Sequence, residues 1–151
     1  MLAMGLPLRC VALDANGGYD THDGQAGSLP GMLGQFAQSI AAFQADLEAR
    51  GLADRVLLHV WSEFGRRPQQ NGSGTDHGAA GLSFLIGTQV KGTMIGEFPG
   101  LATLDPQGNL RNTSDFRHVY KHVVQDWLGE DATGIVPDAA QFTTPLALVK
   151  P

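Results

Sequence analysis

Two short apolar runs with a long amphipathic segment between them constrain this chain more than any other feature. Arg9-Cys10-Val11-Ala12-Leu13-Asp14-Ala15 and Val56-Leu57-Leu58-His59-Val60-Trp61 both read as buried strands. Between them Leu33, Phe36, Ile40, Phe43 and Leu47 recur at alternating spacings of three and four, one apolar face of a helix. Ser28 stands as its N-cap with Pro30 just inside, and Gly51 as its stop, so the spacing predicts a helix over residues 30–50. Such a strand–helix–strand unit implies a crossover connection and parallel neighbours in one sheet.

The rest of the chain extends this α/β reading. Leu82-Ser83-Phe84-Leu85-Ile86 reads as a third parallel strand, and residues 92–110, rich in glycine and proline, as irregular. Phe116, Val119, Tyr120, Val123, Val124, Trp127 and Leu128 make a broad apolar helix face over residues 115–128, ended by Gly129. Residues 146–149 are expected to form a last short strand. With 151 residues, 42% hydrophobic and 17% charged, the chain suits one globular domain spanning 1–151.

Charge and composition exclude several function classes. A net charge of −5 without a Lys/Arg cluster argues against a nucleic-acid partner. No stretch reaches the ~18 apolar residues of a membrane span, and the N-terminus has no signal-peptide pattern. Localisation stays open. The single cysteine, Cys10, excludes an internal disulfide and is expected to be a small core residue.

Chemistry concentrates where the apolar runs stop. After the first, Asn16-Gly17-Gly18 leads into Tyr19-Asp20-Thr21-His22. In an extended segment Asp20 and His22 point to the same side and offer one oxygen and one nitrogen to a borderline metal. After the second run come Ser62-Glu63-Phe64-Gly65-Arg66-Arg67 and then Gly74-Thr75-Asp76-His77-Gly78. The carboxyl edge of an open α/β sheet is where ligands bind. Asp20, His22, Glu63, Asp76 and His77 together have the composition of a two-metal hydrolytic site, with zinc expected first and manganese, magnesium or calcium as alternatives. Asp76 is also the candidate base, and Arg66 either holds an anionic substrate bidentately or pairs with Glu63. His118 and His122, four apart on the second helix, are expected to be solvated surface, and His59 a hydrogen-bonded core or face histidine.

Four motifs in order carry a resemblance: Gly17-Gly18-Tyr19-Asp20-Thr21-His22 with Gln25, Ser62-Glu63-Phe64-Gly65-Arg66, Gly74-Thr75-Asp76-His77-Gly78, and Asp115-Phe116-Arg117 with Val119-Tyr120 and Trp127-Leu128-Gly129. Together they resemble the C-terminal part of an uncharacterised sulfatase-like family, domain of unknown function 1501, in the alkaline phosphatase superfamily. The resemblance implies an alkaline-phosphatase-like three-layer α/β sandwich with a mainly parallel sheet, N-terminally truncated. It implies a metal-dependent hydrolase of phosphate, sulfate or related esters. Asp20, His22 and His77 then resemble the ligands of one metal, and Glu63 stands where a ligand of the second would come. Phe64 departs from the histidine that many superfamily members carry after an aspartate. The superfamily's nucleophile belongs to an N-terminal half that this sequence lacks, so a metal-activated water is the expected attacking group. Full-length relatives are exported or periplasmic by the same resemblance. A small-molecule ester is the expected partner, and a homo-oligomer the expected assembly. The alternative is a non-catalytic truncated domain that binds metal or a partner.

Overall fold

In a computed structural model, which describes residues 2–150, the longest element is the helix α1, Gln25–Ala49. Its C-terminus ends as local rules require. Gly51 takes φ 65°, its N–H donates to Glu48 O (3.0 Å), and the Leu52 N–H reaches back to Leu47 O (2.8 Å). This pair of bonds is a Schellman motif, for which a left-handed glycine is the low-cost residue. The N-terminus differs from the expected start near Pro30, which lies inside the helix. Ser28 does not cap; its Oγ donates to Gly24 O at 3.1 Å. The true first turn is capped from elsewhere in the chain. Gly24 N–H donates to Ser73 Oγ (2.9 Å) and Gln25 N–H to Ser73 O (3.0 Å). A distant loop thereby satisfies donors that helix geometry leaves open.

The strands overturn the expected sheet. β1 (Leu58–Val60) falls inside the second apolar run, but it pairs antiparallel with β4 (Phe84–Ile86), Leu58 opposite Ile86 and Val60 opposite Phe84. β2 (Gly65–Asn71) and β3 (Gly74–Gly78) form a second antiparallel pair. The architecture is therefore two separate two-stranded antiparallel sheets with two helices, and the mainly parallel three-layer sandwich is wrong. Residues 9–15 form no strand, and Val11 and Leu13 are exposed, as is Cys10, which was expected in the core. An apolar run becomes a strand only where a neighbour takes up its backbone groups, and among the described residues this one has none.

The β2–β3 hairpin carries the charged and glycine-rich stretches that follow the second apolar run. Its two-residue connection, Gly72–Ser73, begins with Gly72 at φ 60°, the position at which a type II′ hairpin turn takes glycine. Between Arg66 and Gln70 the register slips around Pro68, which has no N–H to give a ladder.

The second helix α2 (Phe116–His122) starts at Asp115, whose side chain accepts from the Arg117 N–H at 2.9 Å. It continues as a π-helix over Val123–Trp127. Here the chain builds its small core: Val124, Ala132, Val136 and Ala139, with Tyr120 packed against them. The expected final strand reduces to one antiparallel bridge between Val149 and Val90. No helix among the described residues is long and apolar enough to cross a membrane.

Candidate metal centre

Three close approaches bring the segment before α1 against the hairpin. A Cβ on Gly74 would stand 2.2 Å from the carbonyl carbon and oxygen of His22, so only glycine lets the two backbones lie this close. The Gln25 amide donates to Thr21 Oγ1 (2.9 Å) and Thr75 Oγ1 (3.2 Å), joining the two segments through a pair of hydroxyls. Arg66 reaches from β2 to donate to Tyr19 O (3.0 Å) and to Thr75 O.

The result is one shared carboxylate oxygen facing two imidazoles. His77 Nε2 lies 2.7 Å and His22 Nε2 3.1 Å from Asp20 Oδ1. One ligand atom from each of Asp20, His22 and His77 falls within 4.8 Å of the others, and all three residues are exposed. The hydrogen bond from His77 holds the Asp20 carboxyl below the usual carboxylate range, against a smaller opposing effect of desolvation; the charges of His77, His22 and Arg66 add to the lowering. The imidazole of His77 is further fixed by Phe64, stacked on it with centroids 3.7 Å apart and planes 13° from parallel.

The other sequence candidates take different places. Asp76 alternates with His77 along β3. Its Oδ1 accepts from Asn71 Nδ2 (2.8 Å) and faces His22 Nδ1 at 3.9 Å, while Oδ2 lies 4.0 Å from Arg67 Nη1. Glu63 does not join the three converging ligands; its carboxylate accepts at 3.5 Å from the neighbouring Ser62 hydroxyl. Arg66, read as a substrate holder or a Glu63 partner, gives its guanidinium to two carbonyls, lies 3.5 Å from Asp20 Oδ1 and covers the Phe64 ring.

The helix histidines are structural. His118 Nε2–H donates to Thr144 O (2.7 Å). His122 donates from Nδ1 to Asp126 Oδ2 (2.7 Å) and accepts at Nε2 from the Leu146 N–H (3.2 Å). They fasten residues 144–146 onto α2, and His122 is buried rather than solvated. Thr21, Gln25 and Phe64 stand in the quoted motifs, but sequence reading gave them no part in holding the centre together. Thr21 lies in the irregular segment before α1, Gln25 is the first residue of that helix, and the contacts of Gln25 and Phe64 run to the hairpin.

Two imidazole nitrogens and one carboxylate oxygen form a donor set that suits zinc. All three residues are exposed, so an ion held there would keep coordination positions for water or other ligands. The residues present fit a single divalent ion.

A family described as a protein of unknown function (DUF1501) matches residues 3–122, a span that contains every residue of the centre. No curated protein and no solved structure matches the chain.

Proposed function

The chain belongs to the DUF1501 family, and from that premise we propose that it is a metal-dependent hydrolase of phosphate, sulfate or related esters. One observation carries the proposal: Asp20, His22 and His77 bring three ligand atoms to one exposed point. Asp20, His22 and His77 would hold a divalent ion, zinc first and manganese, magnesium or calcium as alternatives, which would polarise an ester oxygen. Zinc would also lower the pKa of a bound water toward about 7. A resemblance to sulfatase-like proteins of the alkaline phosphatase superfamily, carried by the motifs around these ligands and not by the fold, supports the choice of ester.

The chain's own groups favour water over a protein nucleophile. Thr21 and Thr75 flank the ligands, but one amide, that of Gln25, donates to both hydroxyls, and Thr21 is buried. Cys10 is exposed, on the irregular segment before the ligands. Hydrolysis in a single step is the route these residues leave open. The occupation of Arg66 by backbone carbonyls supports the second reading, a non-catalytic domain that binds metal or a partner, because it removes the obvious anion holder.

The test is metal content of protein purified without chelator, followed by turnover of aryl phosphate, sulfate and carboxylate esters. Stoichiometric metal with metal-dependent turnover is expected. Metal without turnover of any ester would select the second reading, and no metal at all would remove the hydrolase and leave the second reading only as a partner-binding domain.

A further inference from the structure

His22 presents a different nitrogen to each of two carboxylates. Nε2 faces Asp20 at 3.1 Å, inside the ligand cluster, and Nδ1 faces Asp76 at 3.9 Å, outside it. Asp76 is itself held from behind: Asn71 Nδ2 donates to the same Oδ1 at 2.8 Å, and Arg67 Nη1 stands 4.0 Å from Oδ2. Asn71 and Arg67 belong to β2 and Asp76 to β3, so the carboxylate is anchored within the hairpin. The hairpin also fixes the height of His22 through the glycine contact at Gly74.

The 3.9 Å between Asp76 Oδ1 and His22 Nδ1 is the separation of an ion pair and not of a hydrogen bond. We infer that Asp76 is a positioning residue: when His22 ligates a metal, the carboxylate closes that gap, takes the Nδ1–H and holds the ring with Nε2 toward the metal. The inference rests on the metal reading of the Asp20, His22, His77 cluster. A neutral imidazole has one protonated nitrogen, and whichever group accepts that proton decides which nitrogen is free to ligate. Histidine ligands commonly give the second N–H to a carboxylate in this way, and losing that partner costs about 10–100-fold in metal affinity. Alternation along β3 supports the assignment, since it turns Asp76 to the face opposite His77 and away from the point where the three ligands meet. Asp76 therefore acts through His22 and not as a fourth ligand.

Zinc and cobalt binding to the whole chain test this. Asp76→Ala should weaken zinc binding by about 10–100-fold, and Asp76→Asn by less, because an amide oxygen still accepts the N–H. The cobalt d–d bands of Asp76→Asn should keep the wild-type intensity, which reports an unchanged number of ligands. In zinc-loaded wild type, the His22 Nδ1–H should appear in NMR spectra as a slowly exchanging resonance, and Asn71→Ala should speed its exchange. Wild-type zinc affinity in Asp76→Ala would overturn the inference, as would cobalt bands that signal a lost ligand. Should Asp76→Ala fail to fold, the wild-type resonance decides alone, and its absence is equally fatal. A wild-type protein that binds no zinc overturns the metal reading and this inference together; one that binds zinc while ignoring Asp76→Ala overturns only the inference.

Discussion

His77 Nε2 and Asp20 Oδ1 lie 2.7 Å apart across 57 positions of sequence. No element contains both: Asp20 precedes α1 and His77 lies near the end of β3. Their contact depends on the Gly74 approach, the Gln25 bridge and the Arg66 clamp acting together. The centre is thus a property of how the hairpin docks on the segment before α1.

The histidines divide into two kinds, and mutation should separate them. His77→Ala should lower zinc affinity by more than about tenfold, the least that losing even an orienting partner costs. His118→Ala should leave zinc affinity unchanged, since its ring, on α2, bonds Thr144 O and not the ligand cluster. Calorimetric titration of both variants checks this, and equal effects would mean that the wrong histidines define the site.

Gly74 gives a test that touches no ligand. A methyl group there must displace the His22 carbonyl, which lies 2.2 Å from the Cβ position. Gly74→Ala should cost about 1–3 kcal/mol of stability, the range for overpacking a filled site. It should weaken zinc binding as His22 moves. Denaturant unfolding and zinc titration of the same variant read the two effects.

His59 makes stability depend on pH. Its Nε2 is buried with no hydrogen-bond partner among the described residues, and burial lowers its pKa below the ordinary histidine value. On unfolding, the ring can take a proton at about pH 6.5, whereas the folded protein resists it until lower pH. Stability contributed by the neutral ring is thus intact above about 6.5 and falls as pH drops toward the folded value. His59→Phe keeps an aromatic ring against Tyr120 and removes that titration. Its gain in stability over wild type should be larger at pH below about 6.5 than above it, measured by urea unfolding; a pH-independent difference would reject the account.

The homo-oligomer expected from the sequence has a motive in exposed apolar side chains: Leu13 and Met94 are each 87% exposed and Leu82 83%, and Trp61, Phe84 and Phe98 are exposed as well. Sedimentation velocity at micromolar concentration should show association that Leu13→Ser weakens. A strictly monomeric species would count against it.

What the sequence determined by itself was local. The apolar spacing from Leu33 to Leu47 places a helix, and Gly51 ends it, because both signals act within one or two turns of backbone. Leu58–Val60 is a strand for the same local reason, and the pairing of Asp20 with His22 shows as chemistry before any fold is known. The Gly72–Ser73 turn did not show as a hairpin in the sequence, because the flanking Arg66-Arg67-Pro68-Gln69-Gln70 lacks the alternation that would identify a strand.

The tertiary structure decided everything that depends on a partner. A short apolar run does not say which strand it will meet, so Leu58–Val60 could be read as parallel to residues 9–15 when it lies antiparallel to Phe84–Ile86. Residues 9–15 carry the right composition and no neighbour, and composition alone leaves a strand's N–H and C=O groups unpaired. The start of α1 was set by Ser73, which donates nothing to local pattern but accepts from Gly24 and Gln25. The site followed the same rule. His77 reaches Asp20 because Gly74 admits the His22 backbone at a distance no side chain allows, a steric fact that exists only once the two segments have met.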